Sequence, residues 1–215
     1  MTGLHLYIGN KNYSSWSLRP WLAMTATGIP FTETLIPFDF PAGNPRFREI
    51  SPTGRVPVLH HGDLRISESL AIIEYVAELY PDAGLWPGDA KARATARSIS
   101  TEMVAGFRAL RNACPMNLRR PKERIVLSEN VDGDVARIGT IWREALAASG
   151  GPFLFGAFGA ADAMFAPVVT RFDTYRLVDD PRTLAYMDAV MDHPAFRLWH
   201  DAALKEPWIV PEDEV

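Results

Sequence analysis

The 215-residue chain changes character once, and that change limits its fold more than any other feature. Up to about residue 79, short β-type runs alternate with helical periodicity. Beyond residue 88 the strand signals nearly vanish. Residues 4–9 read as a strand stopped by Gly9 and Asn10. Residues 14–26 read as a helix with apolar positions at Trp16, Leu18, Trp21, Leu22 and Met24, and Ser14 or Ser15 as its N-cap. Gly28 and Pro30 end it. Residues 33–38 have strand character, and residues 44–50 predict a short helix closed by Pro52-Thr53-Gly54. Residues 56–60 and 64–66 flank a His61-Gly62-Asp63 turn, which predicts a hairpin. Ser67 is then expected to cap a helix over 68–79 whose inward face is Leu70, Ile73, Val76, Ala77 and Tyr80.

The resulting order, β-α-β-α-β-β-α, contains a parallel crossover and an antiparallel pair. Prolines and glycines cluster over 80–88, as in a linker. Residues 89–113 and 123–148 carry helical periodicity, Gly150-Gly151-Pro152 interrupts it, and further helices are expected near 161–175, 181–192 and 194–205. The division is therefore an α/β domain over 1–81, a linker over 82–88 and an all-helical domain over 89–215.

Charge and cysteine usage narrow the function. The net charge is −4, without the basic face of a nucleic-acid binder. Arg119, Arg120, Lys122 and Arg124 read as a solvated loop. Cys114 is the chain's single cysteine. It forms no internal disulfide, supports no cysteine-based zinc site, and reads as a small buried hydrophobe. His60-His61 lacks a third nearby ligand, so no metal is expected. No apolar run approaches the roughly 20 residues of a membrane helix. The first ten residues lack a secretory pattern, so a cytoplasmic location is expected.

Four local patterns are more specific: Ser14-Ser15-Trp16-Ser17-Leu18-Arg19, Arg55-Val56-Pro57-Val58-Leu59, residues 66–75 around Ser67-Glu68-Ser69, and Phe155-Gly156 followed by Ala161-Asp162 and Pro167. In this order and spacing the chain resembles the cytosolic glutathione transferases, over nearly its whole length, and is most similar to their zeta, or maleylacetoacetate isomerase, class. The resemblance implies a thioredoxin-like N-terminal domain followed by an all-α domain. It also implies a homodimer and glutathione as co-substrate, with no metal, nucleic acid or membrane partner.

Glutathione presents an amine, two carboxylates and a thiol. A helix N-terminus suits a carboxylate, Ser69 can donate to it, and Glu68 can accept from the amine. Ser67-Glu68 is equally a sound helix start with no ligand. The resemblance implies a cis Val56-Pro57 bond that turns the Val56 backbone toward the cysteinyl part of glutathione, and an Arg55 within reach of the glycine carboxylate or simply solvated. It implies Ser14 as the thiol activator, Ser15 beside it in the glutathione site, and Tyr7 as the main alternative. Ser15 and Ser17 are rivals to Ser14 for the activating role.

Lowering a thiol pKa from about 8.5 by two units needs roughly 2.7 kcal/mol. A hydrogen bond to the anion supplies about 1.5–3 kcal/mol and a helix N-terminus about 0.3–1 kcal/mol, so one serine suffices. Met103, Phe107 and Leu110 share a helical face. They either line a pocket for an apolar electrophile or pack the core.

Two departures stand out. Trp16 replaces the cysteine of the zeta-class Ser-Ser-Cys, which puts isomerase chemistry in question. Gly159 replaces the Ser or Thr of a capping box with Asp162. Besides transfer onto an apolar electrophile, an isomerase or peroxidase reaction on the same site, and a non-catalytic glutathione-binding or docking module, remain open on sequence.

Overall fold

The computed structural model describes residues 3–38 and 43–214; the outermost ends of both domains, residues 1–2 and 215, lie outside the described residues. Four strands form one mixed sheet: β1 (Leu4–Ile8), β2 (Phe31–Leu35), β3 (Val58–His61) and β4 (Leu64–Ser67), in the order β2-β1-β3-β4. β1 and β2 are parallel, while β3 is antiparallel to both β1 and β4. β1 buries Leu4, Leu6 and Ile8 on one face and shows His5 and Tyr7 on the other, the alternation a half-covered strand requires.

Three helices belong to this domain: α1 (Ser15–Ala26), α2 (Arg46–Ile50) and α3 (Ser69–Leu79). Ser14 is the N-cap of α1. α1 is buried along most of its length because it packs against α3 on one side and the helical domain on the other. α3 starts one residue later than the periodicity predicts. Ser67 belongs to β4, where its backbone pairs with Val58, and Glu68 turns the corner with φ 73°.

After a 3₁₀ turn at Pro81–Ala83 the chain is helical: α4 (Ala90–Ala105), α5 (Arg108–Ala113), α6 (Glu129–Ser149), α7 (Ala160–Thr174), α8 (Pro181–Asp192) and α9 (Pro194–Ala203). The single helix expected over 89–113 is broken at Gly106-Phe107. Phe107 takes φ 56° so that its ring enters the core. α6 begins at Glu129 rather than 123, and Glu123 instead gives its N–H to the carbonyl of Thr174. Trp142 centres the helical core, with the rings of Phe165, Phe172 and Tyr186 all within 5.8 Å of its own.

Gly159 has a local cause. A Cβ there would lie 2.9 Å from the carbonyl oxygen of Leu85, which accepts the Ala160 N–H at 2.8 Å. The linker passes too close to the start of α7 for a serine or threonine. The Asp162 half of the capping box remains: its two oxygens accept the N–H groups of Leu154 and Gly159, each at 3.0 Å.

Candidate functional site

Three of the four segments singled out in the sequence, those containing Trp16, Val56-Pro57 and Glu68-Ser69, meet in one cleft. The Val56-Pro57 peptide is cis. It leads into β3 and leaves the backbone N–H and C=O of Val56 without a protein partner among the described residues. Next to it, the β4–α3 corner carries Glu68, exposed and with a side chain free of protein hydrogen bonds, and Ser69, which is 2% exposed. These residues line a cleft of about 440 Å³ with Arg55, Thr53, Trp16 and Arg111.

Ser69 does not direct its proton into the cleft. Its hydroxyl donates to the Trp16 carbonyl at 2.7 Å, tying the start of α3 to the start of α1. A carboxylate in this corner would therefore meet the free N–H groups of the first turn of α3, with the Ser69 oxygen alongside.

A second cleft, of about 520 Å³, shares Trp16 and Arg111 with the first and is otherwise lined by Ser15, Ala105, Arg108, Asn112 and Arg171. Among the described residues no acidic one lines it. The Trp16 ring carries two cations: the Arg19 guanidinium, buried behind the cleft, lies 4.3 Å and that of Arg111, on the cleft wall, 5.2 Å from the ring centre. Such contacts contribute about 0.5–2 kcal/mol each, depending on desolvation. Burial pushes Arg111 below the usual guanidinium range, helped by Arg108 and opposed by Asp134. Arg19 is shifted down by burial and by the neighbouring charges of Arg171 and Arg111.

The two serines at the head of α1 are placed differently. Ser14 is 5% exposed, and its hydroxyl donates to Ser17 Oγ at 2.7 Å. Its oxygen faces the Ser17 N–H at 3.4 Å as the helix cap, and it lines neither cleft. Ser15 lines the second cleft. Tyr7 lies on the sheet, its ring among those of His5 and His60, away from both clefts.

Met103, Phe107 and Leu110 are 0%, 6% and 0% exposed and line neither cleft. They pack the core, and the expectation that they wall a pocket is not met. Cys114 is buried too; burial pushes its thiol up to about 11, so it stays protonated.

Sequence reasoning missed Trp16, Arg108, Arg111, Asn112 and Arg171 as site residues. A usable signal existed for Arg171 alone. It interrupts the apolar run of α7, and a buried arginine in such a run demands a partner or a role. Among the described residues no group of His, Cys, Asp and Glu is placed to hold a metal ion, and no helix is long and apolar enough to cross a membrane.

Comparison with known proteins agrees with this arrangement. Residues 13–79 match the glutathione S-transferase N-terminal domain, and residues 126–202 match the C-terminal domain. The chain belongs to the glutathione S-transferase family. Within the family it is similar to zeta-class members. A probable maleylacetoacetate isomerase of Caenorhabditis elegans is 32% identical over 55% of this chain and 54% of its own length. Glutathione S-transferase 1 of Dianthus caryophyllus is 31% identical over 53% and 51%. The chain thus spans about half the length of these two relatives. The maleylacetoacetate isomerase of Pseudomonas aeruginosa is 28% identical over 93% of this chain and 96% of its own. A Burkholderia glutathione transferase homolog solved with bound glutathione shares the fold, with a TM-score of 0.73, 23% identity, and coverage of 94% of this chain and 99% of that one.

Proposed function

We propose that this family member binds glutathione in the first cleft and ionises its thiol at the head of α1. The sulfur then attacks an electrophile that bears an acid group in the second cleft. The observation that carries the reading is convergence. A backbone pair free to add an extended peptide, a carboxylate free to meet an amine, and the N-terminus of α3 all line one cleft. They match the cysteinyl backbone, the γ-glutamyl amine and its carboxylate. Arg55, exposed at the rim, is positioned for the glycine carboxylate. A Burkholderia homolog of the same fold was solved with bound glutathione, which supports glutathione as the ligand.

The chemistry is nucleophilic. The thiol proton leaves to solvent, the thiolate attacks an electrophilic carbon, a C–S bond forms, and the displaced electron pair departs with a leaving group or moves onto a conjugated carbonyl. A serine of the Ser14-Ser15 pair hydrogen-bonds the thiolate, and the N-terminus of α1 adds to its stabilisation. The electrophile proposed here departs from the apolar one expected from sequence. The wall facing this point is cationic, with Arg108, Arg111, Arg171 and Asn112, and suits a carboxylate better than an aryl group.

A second reading, glutathione-dependent isomerisation of an unsaturated acid, is favoured by relatives named maleylacetoacetate isomerase. There the C–S bond forms, the former double bond rotates, and the sulfur leaves again. Trp16 in the place of the zeta-class cysteine stands against it.

Turnover with glutathione against aryl halides, organic hydroperoxides and maleyl-type unsaturated acids separates the readings. The acids are expected to be consumed with the highest kcat/KM, as conjugates or as isomers. Activity on aryl halides alone would overturn the acid assignment, and no glutathione binding by calorimetry at millimolar concentration would overturn the whole reading. The chain is also proposed to be a homodimer; sedimentation at the 23.9 kDa of one chain at micromolar concentration would exclude it.

A further inference from the structure

The two serines at the head of α1 differ in where their protons go, and that difference selects between them. The Ser14 hydroxyl gives its proton to Ser17 Oγ at 2.7 Å. Ser17 Oγ also accepts the Gly9 N–H at 3.1 Å, so the three groups close a small buried network at the mouth of the helix. A ligand thiolate meeting Ser14 would have to break it.

Ser15 is in the opposite condition. Among the described residues its hydroxyl oxygen has one hydrogen-bond contact, accepting from Arg171 Nη2 at 3.5 Å. A guanidinium has donors and no acceptor, so it presents N–H to the Ser15 oxygen and leaves the serine proton to point elsewhere. Arg171 is held for this. Its Nε donates to the Cys114 carbonyl at 2.8 Å and its Nη1 to the Pro167 carbonyl at 2.9 Å, and the residue is 5% exposed. No carboxylate forms an ion pair with it among the described residues.

From this geometry we infer that Ser15, rather than Ser14, hydrogen-bonds the glutathione thiolate, and that buried Arg171 is a positioning residue that orients the Ser15 hydroxyl and lends the site its positive charge. The inference rests on the glutathione reading above. Each group keeps its own proton: the thiol proton goes to solvent, Ser15 donates a hydrogen bond to sulfur, and Arg171 stays a cation.

The charged surroundings agree with that state. Arg171 faces Arg111 from α5, Arg19 from α1, Cys114 from the segment after α5, Tyr175 just past the end of its own helix and Asp213 near the C-terminus. Burial brings Arg171 down to about 10, which leaves it charged at neutral pH. Asp213 is raised to about 6 by burial, opposed by Arg171, and so adds a negative charge only above that range. The balance around Ser15 is positive, as an anionic sulfur requires.

The test is a pH titration of the bound glutathione thiolate by its ultraviolet absorbance, on the full chain. Calorimetric glutathione affinity at a pH where the thiol is protonated is measured alongside. In the wild type the bound thiol is expected to titrate well below its free value. Ser15→Ala and Arg171→Met should move that value up by about one to two units, the size of a lost hydrogen bond to an anion, and should move the acidic limb of the kcat/KM profile with it. Ser15→Thr and Arg171→Lys, which keep the hydroxyl and the charge, should restore most of the shift. Ser14→Ala should lower Tm by roughly 2–4 °C through the lost cap and move the thiol by less than about half a unit. If Arg171→Met does not fold, Arg171→Lys with Ser15→Ala still decides the matter. A titration shifted by Ser14→Ala but not by Ser15→Ala overturns the inference. A folded Arg171→Met with a wild-type titration and wild-type pH profile removes Arg171 from it. Wild-type protein that binds no glutathione would instead overturn the proposed function itself, which the calorimetric arm reports separately.

Discussion

Glu68 and Ser69 are adjacent, yet the structure gives them separable jobs. The Glu68 carboxylate is exposed and has no protein partner, while the Ser69 hydroxyl is buried and holds the Trp16 carbonyl. Glu68→Gln is therefore expected to leave stability within about 0.5 kcal/mol and to weaken glutathione binding about tenfold or more, because it removes a charged acceptor for the γ-glutamyl amine. Ser69→Ala should cost about 1–3 kcal/mol of stability by leaving a carbonyl unsatisfied, in addition to any loss of affinity. Urea denaturation and calorimetry on both variants check the pair. Equal stability losses would show that the corner is held by something other than the Ser69 bond. At this scale the sequence singled out residue types but could not assign protons. Whether Ser69 donates to a ligand or to Trp16, and whether Ser14 or Ser15 has a free O–H, depends on neighbours 3 to 156 residues away.

The helices show where periodicity is a sufficient guide and where it is not. α8 begins and ends at the expected residues, since an Asp180 cap bonding the Thr183 N–H and Pro181 in the first turn define its start locally. α4 and α5 were expected as one helix because nothing local in Gly106-Phe107 demands a break; the core's claim on the Phe107 ring does. α7 carries a pH-dependent contribution at its head. Asp162 is 1% exposed, and burial pushes its carboxyl up to about 6 although two N–H groups pull the other way. A carboxyl with a raised folded pKa binds more protons in the native state. Its contribution is thus fully present below the unfolded value of about 3.9 and is lost as pH rises through about 6. Asp162→Asn does not titrate and presents only one acceptor oxygen, leaving one backbone N–H unpaired at a cost of about 1–3 kcal/mol. The stability gap between wild type and variant should therefore narrow from pH 4 to pH 7. A gap that widens over that range would show Asp162 to be ionised throughout.

At the scale of the whole molecule, the loop in front of the site is held by the far end of the chain. The Glu206 carboxylate accepts the N–H groups of Lys11 at 2.6 Å and Asn12 at 3.1 Å. Trp199 Nε1 donates to the Lys11 carbonyl at 2.8 Å, and Arg119 grips the carbonyls of Glu206 and Trp208, each at 2.6 Å. These bonds join residues 87 to 195 positions apart, so no local pattern announced them, and Arg119 read as part of a solvated loop. Burial raises the Glu206 pKa, opposed by the same two N–H groups and by Lys11 and Arg119. Residues 10–14 are followed directly by the serines of α1, so the C-terminal segment holds the loop that leads into those serines. Glu206→Ala leaves two buried N–H groups unpaired and should cost at least about 2 kcal/mol, with Glu206→Gln, which keeps one acceptor, falling between. If the strap positions the site, hydrogen exchange at the amides of Lys11 and Asn12 should accelerate in Glu206→Ala under conditions where α8 amides are unchanged, and the glutathione KM should rise. Exchange that accelerates uniformly across both domains would mean that Glu206 supports global stability alone. Unchanged exchange at Lys11 and Asn12 would mean that the loop is held from its own side of the molecule.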